Sequence, residues 1–288
     1  MTGADIREKV VVITGGAGGF GRALTRHFVE DGARVASLDV AAGGVDSLAA
    51  EMRGLGNAAG AFLPLVADVA DPAACRQAIE ATLRRFGRID ALINNAGLGM
   101  SRIRRDHMKR PVRTAEVDAE TWQAFLAVNA GGAFNMVKAV LPHFEAAGHG
   151  RIINVTTSFF TMQRGGYLPY AASKAALEAA SASWAEEFAG SGVTVNVVVP
   201  GGPADTPMVT EEAGFDRSAL IPPDAMFWPM RWLVSDAGAG TSGCRFIAAN
   251  WDPATPVEEA IAASGSPIAW PDLKGTVVWP GGIDAATR

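Results

Sequence analysis

Short runs of β-branched and other apolar residues alternate along this chain with longer stretches rich in Ala and Leu. Val10, Val11, Val12, Ile13 and Thr14 form the first run, apolar at nearly every position rather than at alternate ones. A parallel sheet covered by helices on both faces requires that pattern, because neither side of the strand meets water. Strands are expected at 10–14, 34–39, 61–67, 91–94, 151–157, 194–199 and 244–248. Helices are expected between them, at about 21–30, 118–146 and 170–189; in the last, Leu177, Trp184 and Phe188 recur at helical spacing. Strand–helix–strand units repeated in one hand give an α/β fold, a doubly wound, Rossmann-like parallel sheet of about seven strands with helices on both faces.

Residues 1–250 read as a single dinucleotide-binding and catalytic domain without internal repeats, and three segments break its rhythm. Polar, basic residues 98–115 follow the fourth strand, and loop-rich residues 203–229 follow the sixth. Residues 251–288, rich in Pro and Trp, form a C-terminal extension expected to pack on the domain or on a neighbouring subunit, with a short strand at 276–279. Open α/β sheets bind ligands beyond the C-terminal ends of their strands, so the first two segments are expected to flank the site.

Composition narrows the class. The chain has 288 residues, 49% hydrophobic and 19% charged, with a net charge of -5. An acidic chain lacks the cationic face that nucleic-acid phosphates demand. No apolar run approaches the roughly 20 residues that cross a bilayer, and the N-terminal residues show no signal-peptide core. Cys75 and Cys244 lie far apart, as inert thiols of a reducing compartment do, and His27, His107, His143 and His149 form no cluster. The expectation is a cytoplasmic protein with no metal site and no membrane or nucleic-acid partner.

A glycine-rich turn follows the first strand. Gly16, Gly18 and Gly21 fit Gly-x-Gly-x-x-Gly, and Gly15, Gly19 and Gly21 fit Gly-x-x-x-Gly-x-Gly. Such a turn between a strand and a helix lets a pyrophosphate approach the backbone and meet the helix N-terminus. Asp39 ends the second strand, 18 residues past Gly21. A carboxylate there accepts hydrogen bonds from ribose hydroxyls and repels a 2′-phosphate. Val40, Ala41 and Ala42 supply no cation, and Arg22 and Arg34 point elsewhere on periodicity, which favours NAD over NADP.

Tyr170 and Lys174 sit one helical turn apart, 13 residues beyond Thr157. The glycine turn, Asn94 to Gly97, Asn129, Thr157, Tyr170-x-x-x-Lys174 and Pro200-Gly201 follow the order and approximate spacing of the short-chain dehydrogenase/reductase family, which the chain resembles over about residues 6–250. The resemblance implies hydride transfer between a nicotinamide and an alcohol/carbonyl pair, with Tyr170 as proton-transfer group and Thr157 polarising the substrate oxygen. It implies that Lys174 holds the nicotinamide ribose and favours the phenolate, while Asn129 holds a relay water. Threonine stands where the family usually has serine; it keeps the hydroxyl and adds a methyl that restricts the rotamer. Ser158 would face the other way if the strand continued. The dinucleotide would lie along Gly15, Gly19, Phe20 and Gly21, then Asp39, Asp68 and Val69. It would continue past Asn95, Ala96 and Gly97 to Tyr170, Lys174, Pro200 and Gly201. A homodimer or homotetramer is implied as well.

Arg102, Arg104, Arg105, Lys109, Arg110 and Arg113 crowd one loop against a single acid, Asp106. They read either as receptors for an anionic substrate group or as a solvated charge run or subunit contact. Met208, Phe215, Met226, Phe227 and Trp228 read as pocket lining or as core. The functional expectation is an NAD-dependent oxidoreductase acting on a small secondary alcohol or ketone. An NADP-dependent carbonyl reductase and a non-catalytic dinucleotide-binding regulator are the alternatives.

Overall fold

The computed structural model describes residues 4–55 and 60–272, so the strand expected at 276–279 lies outside the described residues. One sheet runs in the order β3-β2-β1-β4-β5-β6-β7-β8. Its first seven strands are β1 Val10–Thr14, β2 Arg34–Asp39, β3 Phe62–Val66, β4 Ala91–Asn94, β5 Gly150–Val155, β6 Val193–Val199 and β7 Cys244–Ile247. All pair in parallel. An eighth strand, β8 Gly265–Pro267, pairs antiparallel with β7 and was not expected. The helices are α1 Gly19–Glu30, α2 Ala42–Gly54, α3 Pro72–Phe86, α4 Ala119–Leu126, α5 Gly132–Ala147, α6 Phe159–Gln163, α7 Tyr170–Glu187, α8 Phe227–Val234 and α9 Val257–Ser264.

Alternate residues of one strand feed two cores. Val11 and Ile13 of β1 pack with Leu24, Phe28 and Leu48 on one face, while Val10 and Val12 pack with Ile79, Met136 and Phe144 on the other. Each such side chain, fully withdrawn from water, contributes about 1.5–3 kcal/mol. This two-sided burial is why the strands read as unbroken apolar runs. Trp251, at the start of the extension, is buried against Trp232 and Phe246, and Ile268 is buried against Val197 and Val199.

Three boundaries shift where the site lies. β5 stops at Val155, two residues before the expected end, so Thr156 and Thr157 stand beyond the sheet. The helix expected at 118–146 is interrupted by a π-helical turn, Ala127–Gly131, which carries Asn129. Helix α1 begins at Gly19, inside the glycine turn. The rod Ala119–Ala147 is also long and apolar enough, by length and composition, to cross a membrane, so the expectation that no stretch approaches that length holds only for unbroken apolar runs. Here Phe125, Met136, Val137, Val140 and Phe144 of the rod are buried in the protein core.

Candidate active site

The glycine turn is built by contacts that exclude side chains. A Cβ on Gly21 would meet the Gly15 carbonyl oxygen, and one on Gly16 would meet Ser37 Oγ. Gly15 has φ +64° and lies against the Ala96 backbone. Gly18 differs: its nearest neighbour for a Cβ would be the Gly15 carbonyl at 3.4 Å, so space is open in front of it. It is also the N-cap of α1, with no side-chain cap and no acid in the first turn. The first N–H groups of a twelve-residue helix therefore carry no side-chain cap, which leaves at exposed Gly18 a cradle suited to a pyrophosphate. Asp39 lies beside it, accepting the Ala17 N–H at 3.1 Å and the Ala41 N–H at 3.0 Å. The two arginines nearest in sequence are engaged elsewhere: Arg22 pairs with Glu51 at 2.5 Å and Arg34 with Glu8.

The end of β4 braces the turn. Asn95 Nδ2 donates to the carbonyls of Thr14 and Gly15 at 3.0 and 3.1 Å, and Thr14 Oγ1 accepts the N–H groups of Asn95 and Ala96. Asn94 donates to Asn154, which donates to Ser181 of α7. Gly97 lies between Asn129 and Lys174: a Cβ there would sit 3.3 Å from Asn129 Oδ1 and 3.4 Å from Lys174 Nζ. The Asn129 amide is committed to protein groups, accepting Leu98 N–H at 2.7 Å and donating to Leu98 O and Ser173 Oγ. Its side chain thus anchors the loop after β4 from within the π-helical turn. Val69 packs on Gly132. Asp68 is exposed and accepts the Ala70 N–H.

Helix α7 reads the end of β5 residue by residue. Tyr170, Lys174 and Glu178 recur every fourth position and share one face. Lys174 Nζ donates to the Val155 carbonyl at 2.7 Å, Thr156 Oγ1 donates to Glu178 at 2.6 Å, and the Thr157 side chain is the hydrogen-bonding neighbour of the Tyr170 phenol. Ser158 accepts the Thr161 N–H as N-cap of α6, which removes it as a substitute for Thr157. Of the four catalytic residues expected from sequence, Thr157, Tyr170 and Lys174 thus gather at the end of β5, and Asn129 stands across Gly97 from Lys174.

Burial acts on both titrating side chains of this corner. Burial pushes the Tyr170 phenol up to about 12, opposed by the Thr157 hydrogen bond and reinforced by Tyr167; Lys174 is not among the groups that lower it. Burial also pushes Lys174 down to about 8. Burial thus outweighs the Thr157 hydrogen bond and favours the neutral phenol.

The flanking loops fold inward. Thr206 packs its side chain where a Cβ on Gly19 would be, at 2.5 Å, and Met208 fills the space over Gly99. Met226 and Phe227 belong to the core, not to a pocket, with Phe227 against His27 and Phe28. In the basic loop Arg104 pairs with Glu116, Arg105 with Glu212 at 2.6 Å and Arg110 with Asp106 at 3.4 Å. Half of its cations are therefore neutralised within the protein. Gly201, φ +105°, turns the chain after Pro200, whose carbonyl accepts Ala249 N–H.

Sequence reasoning missed Thr14, Ser173, Glu178 and Arg245. Ser173 and Glu178 carried a readable signal, three and eight residues past Tyr170 on its own helix face. Arg245, an arginine within an apolar strand, carried one too. No group of three or more His, Cys, Asp or Glu placed to hold a metal occurs among the described residues.

Comparison with known proteins agrees with this geometry. The family model for short chain dehydrogenase matches residues 9–215. The 3-oxoacyl-(acyl-carrier-protein) reductase FabG of Thermotoga maritima is 35% identical over 83% of this chain and 95% of its own length. The D-threitol dehydrogenase of Mycolicibacterium smegmatis is 33% identical over 83% and 90%. A 3-ketoacyl-(acyl-carrier-protein) reductase from Brucella melitensis, solved in complex with NADH, superposes with a TM-score of 0.71 at 27% identity, covering 82% of this chain and 95% of that one. The match takes in both the glycine turn and the Tyr170–Lys174 helix, so the chain belongs to the short-chain dehydrogenases, oxidoreductases of CH–OH or carbonyl groups.

Proposed function

We propose that this oxidoreductase uses NAD and interconverts a small secondary alcohol and its ketone, with Tyr170 transferring the hydroxyl proton. The observation that carries this is the convergence of Thr157, Tyr170 and Lys174 at the C-terminal end of β5, beside an uncapped helix N-terminus. The bound dinucleotide supplies or accepts the hydride at its nicotinamide ring. The N–H groups at the start of α1 hold its pyrophosphate, and the open space before Gly18 admits it. Asp39 accepts the adenosine ribose hydroxyls and, with Arg22 and Arg34 already paired, offers a 2′-phosphate repulsion without compensation.

Thr157 donates to the substrate oxygen and Tyr170 gives or takes the proton on that same oxygen. Lys174, anchored on Val155, stands within the same buried corner and would hold the nicotinamide ribose. A phenol at about 12 is a poor base at neutral pH, so a positive charge near it favours the phenolate during alcohol oxidation. The named relatives include both a reductase and a dehydrogenase, and the Brucella neighbour holds NADH; both facts are compatible with this reading. The exposed face of α5, with the Lys138 ammonium over the Phe134 ring, suits a homodimer or homotetramer contact. With Arg104, Arg105 and Arg110 paired internally, the basic loop acts chiefly as a structural wall of the site.

A panel of secondary alcohols incubated with NAD and followed by NADH absorbance tests this reading. Turnover of at least one alcohol, faster with NAD than with NADP, is the expected result. Silence across the panel with NAD binding intact would replace it by a non-catalytic dinucleotide-binding role.

A further inference from the structure

Thr157 stands beyond the last hydrogen-bonded residue of β5, so the sheet does not hold it. A buried ion pair does. Arg245 Nη1 donates to Glu178 Oε2 at 2.7 Å and to Thr156 Oγ1 at 3.2 Å, and Arg245 Nη2 donates to the Thr157 carbonyl at 2.6 Å. Both charged side chains are withdrawn from water, 4% and 0% exposed. The guanidinium is also stacked over Phe159, 4.2 Å from its ring centroid, and Phe159 packs against Trp270. A planar fork in such a setting satisfies two acceptors in fixed directions, which an ammonium cannot do.

The second oxygen of Glu178 faces the C-terminal segment. Glu178 Oε1 accepts the Ala269 N–H at 3.2 Å, and Ala269 has φ +61°, a left-handed conformation that alanine keeps only when its surroundings hold it. Pairing of β8 with β7 and burial of Ile268 bring Ala269 to that point. The network therefore runs from the segment after β8, through Glu178 and Arg245, to the backbone of Thr157.

We propose that Arg245 and Glu178 are positioning residues that aim the Thr157 hydroxyl at Tyr170, with the Ala269 N–H fixing Glu178 from the other side. The proposal rests on the catalytic reading of Thr157 and Tyr170 given above. Both act through the chain, and neither is assigned a part in the proton transfer itself. Their effect reaches chemistry through the Thr157 carbonyl and the Thr156 hydroxyl, which together set the direction of the chain as it leaves β5.

The double variant R245M/E178Q tests it, since removing both charges leaves no orphaned ion in the interior. R245K is the companion: it keeps the charge for Glu178 but loses the fork to Thr157, and it serves if the double variant does not fold. The chain has two tyrosines, so 3-fluorotyrosine labelling gives two fluorine resonances, assigned with Tyr167→Phe. The expected result is a kcat lowered by about tenfold to a hundredfold with the NAD dissociation constant unchanged. The Tyr170 resonance should move in the same direction as in Thr157→Val. A folded variant whose Tyr170 resonance stays at the wild-type position overturns the proposal, whether or not activity falls. If wild type turns over no substrate, the functional reading fails, while the fluorine shift still decides whether this pair sets the Thr157–Tyr170 contact.

Discussion

Lys174 Nζ donates to the carbonyl oxygen of Val155 at 2.7 Å, one helical turn beyond Tyr170, from a position where the lysine is 3% exposed. This single contact ties the helix carrying the phenol to the strand end that precedes Thr157. It also puts an ammonium where burial pushes it down to about 8 from its ordinary 10.5.

The sign of the consequence follows from proton counting. Between about 8 and 10.5 the unfolded chain binds more protons at this lysine than the folded protein, so stability rises with pH across that window. The contribution is complete above 10.5 and is lost as pH falls through about 8. The gap corresponds to about 3 kcal/mol. Lys174→Met, which carries no charge, should unfold at higher urea than wild type at neutral pH, with the advantage shrinking as pH approaches 10.5. A pH-independent difference between the two midpoints would contradict this account.

Loss of the reacting hydroxyls should separate chemistry from binding. Tyr170→Phe is expected to lower kcat by about 10²–10⁴-fold, and Thr157→Val by about 10²–10³-fold. Thr157→Ser keeps the donor and should stay within the wild-type range. Fluorescence titration with NAD should give unchanged affinity in all three; an active Tyr170→Phe would remove the phenol from the mechanism.

Asp39 should decide between the dinucleotides. Its carboxylate is already oriented by the N–H groups of Ala17 and Ala41, and a hydrogen bond to a charged group contributes about 1.5–3 kcal/mol. Asp39→Ala is therefore expected to weaken NAD by about tenfold to a hundredfold and to narrow or reverse the preference against NADP. Equal discrimination in variant and wild type would assign the selectivity to another residue.

Two glycines of the turn should behave differently. In Gly21→Ala the new Cβ meets the Gly15 carbonyl oxygen and comes 2.7 Å from Gly16 Cα, both backbone atoms that cannot swing away. The variant should lose about 1–3 kcal/mol of stability and its dinucleotide binding together. In Gly18→Ala the nearest atom is 3.4 Å away, so thermal unfolding should be nearly unchanged while the methyl group occupies the cradle and weakens NAD binding. A Gly18→Ala protein that binds NAD as wild type does would move the pyrophosphate elsewhere.

Much of the fold was legible because parallel strands buried on both faces must be apolar throughout. The runs at Val10–Thr14, Ala91–Asn94 and Val193–Val199 carry that mark at most of their positions, without help from distant residues. β8 was not legible: Gly265, Ser266 and Pro267 have no strand propensity, and they are extended because Cys244 to Phe246 offer an open edge to pair with. The end of β5 was misplaced for a related reason. Thr156 and Thr157 look like strand residues by composition, but their side chains are taken by Glu178 and Tyr170 instead of the sheet. The basic loop likewise gave its charges in sequence and hid their partners, since Glu212 lies 107 positions from Arg105.

By itself, then, the chain's order of residues determined the seven parallel strands, the glycine turn and the common helix face of Tyr170 and Lys174, because periodicity and local backbone geometry act over a few residues. Only the tertiary structure decided that Asn129 anchors Leu98, that Thr157 stands beyond the sheet beside Tyr170, and that Arg245 grips the carbonyl of Thr157 from 88 positions away. A polar side chain withdrawn from water must find a partner, and which partner it meets depends on strand order and register that no local pattern records.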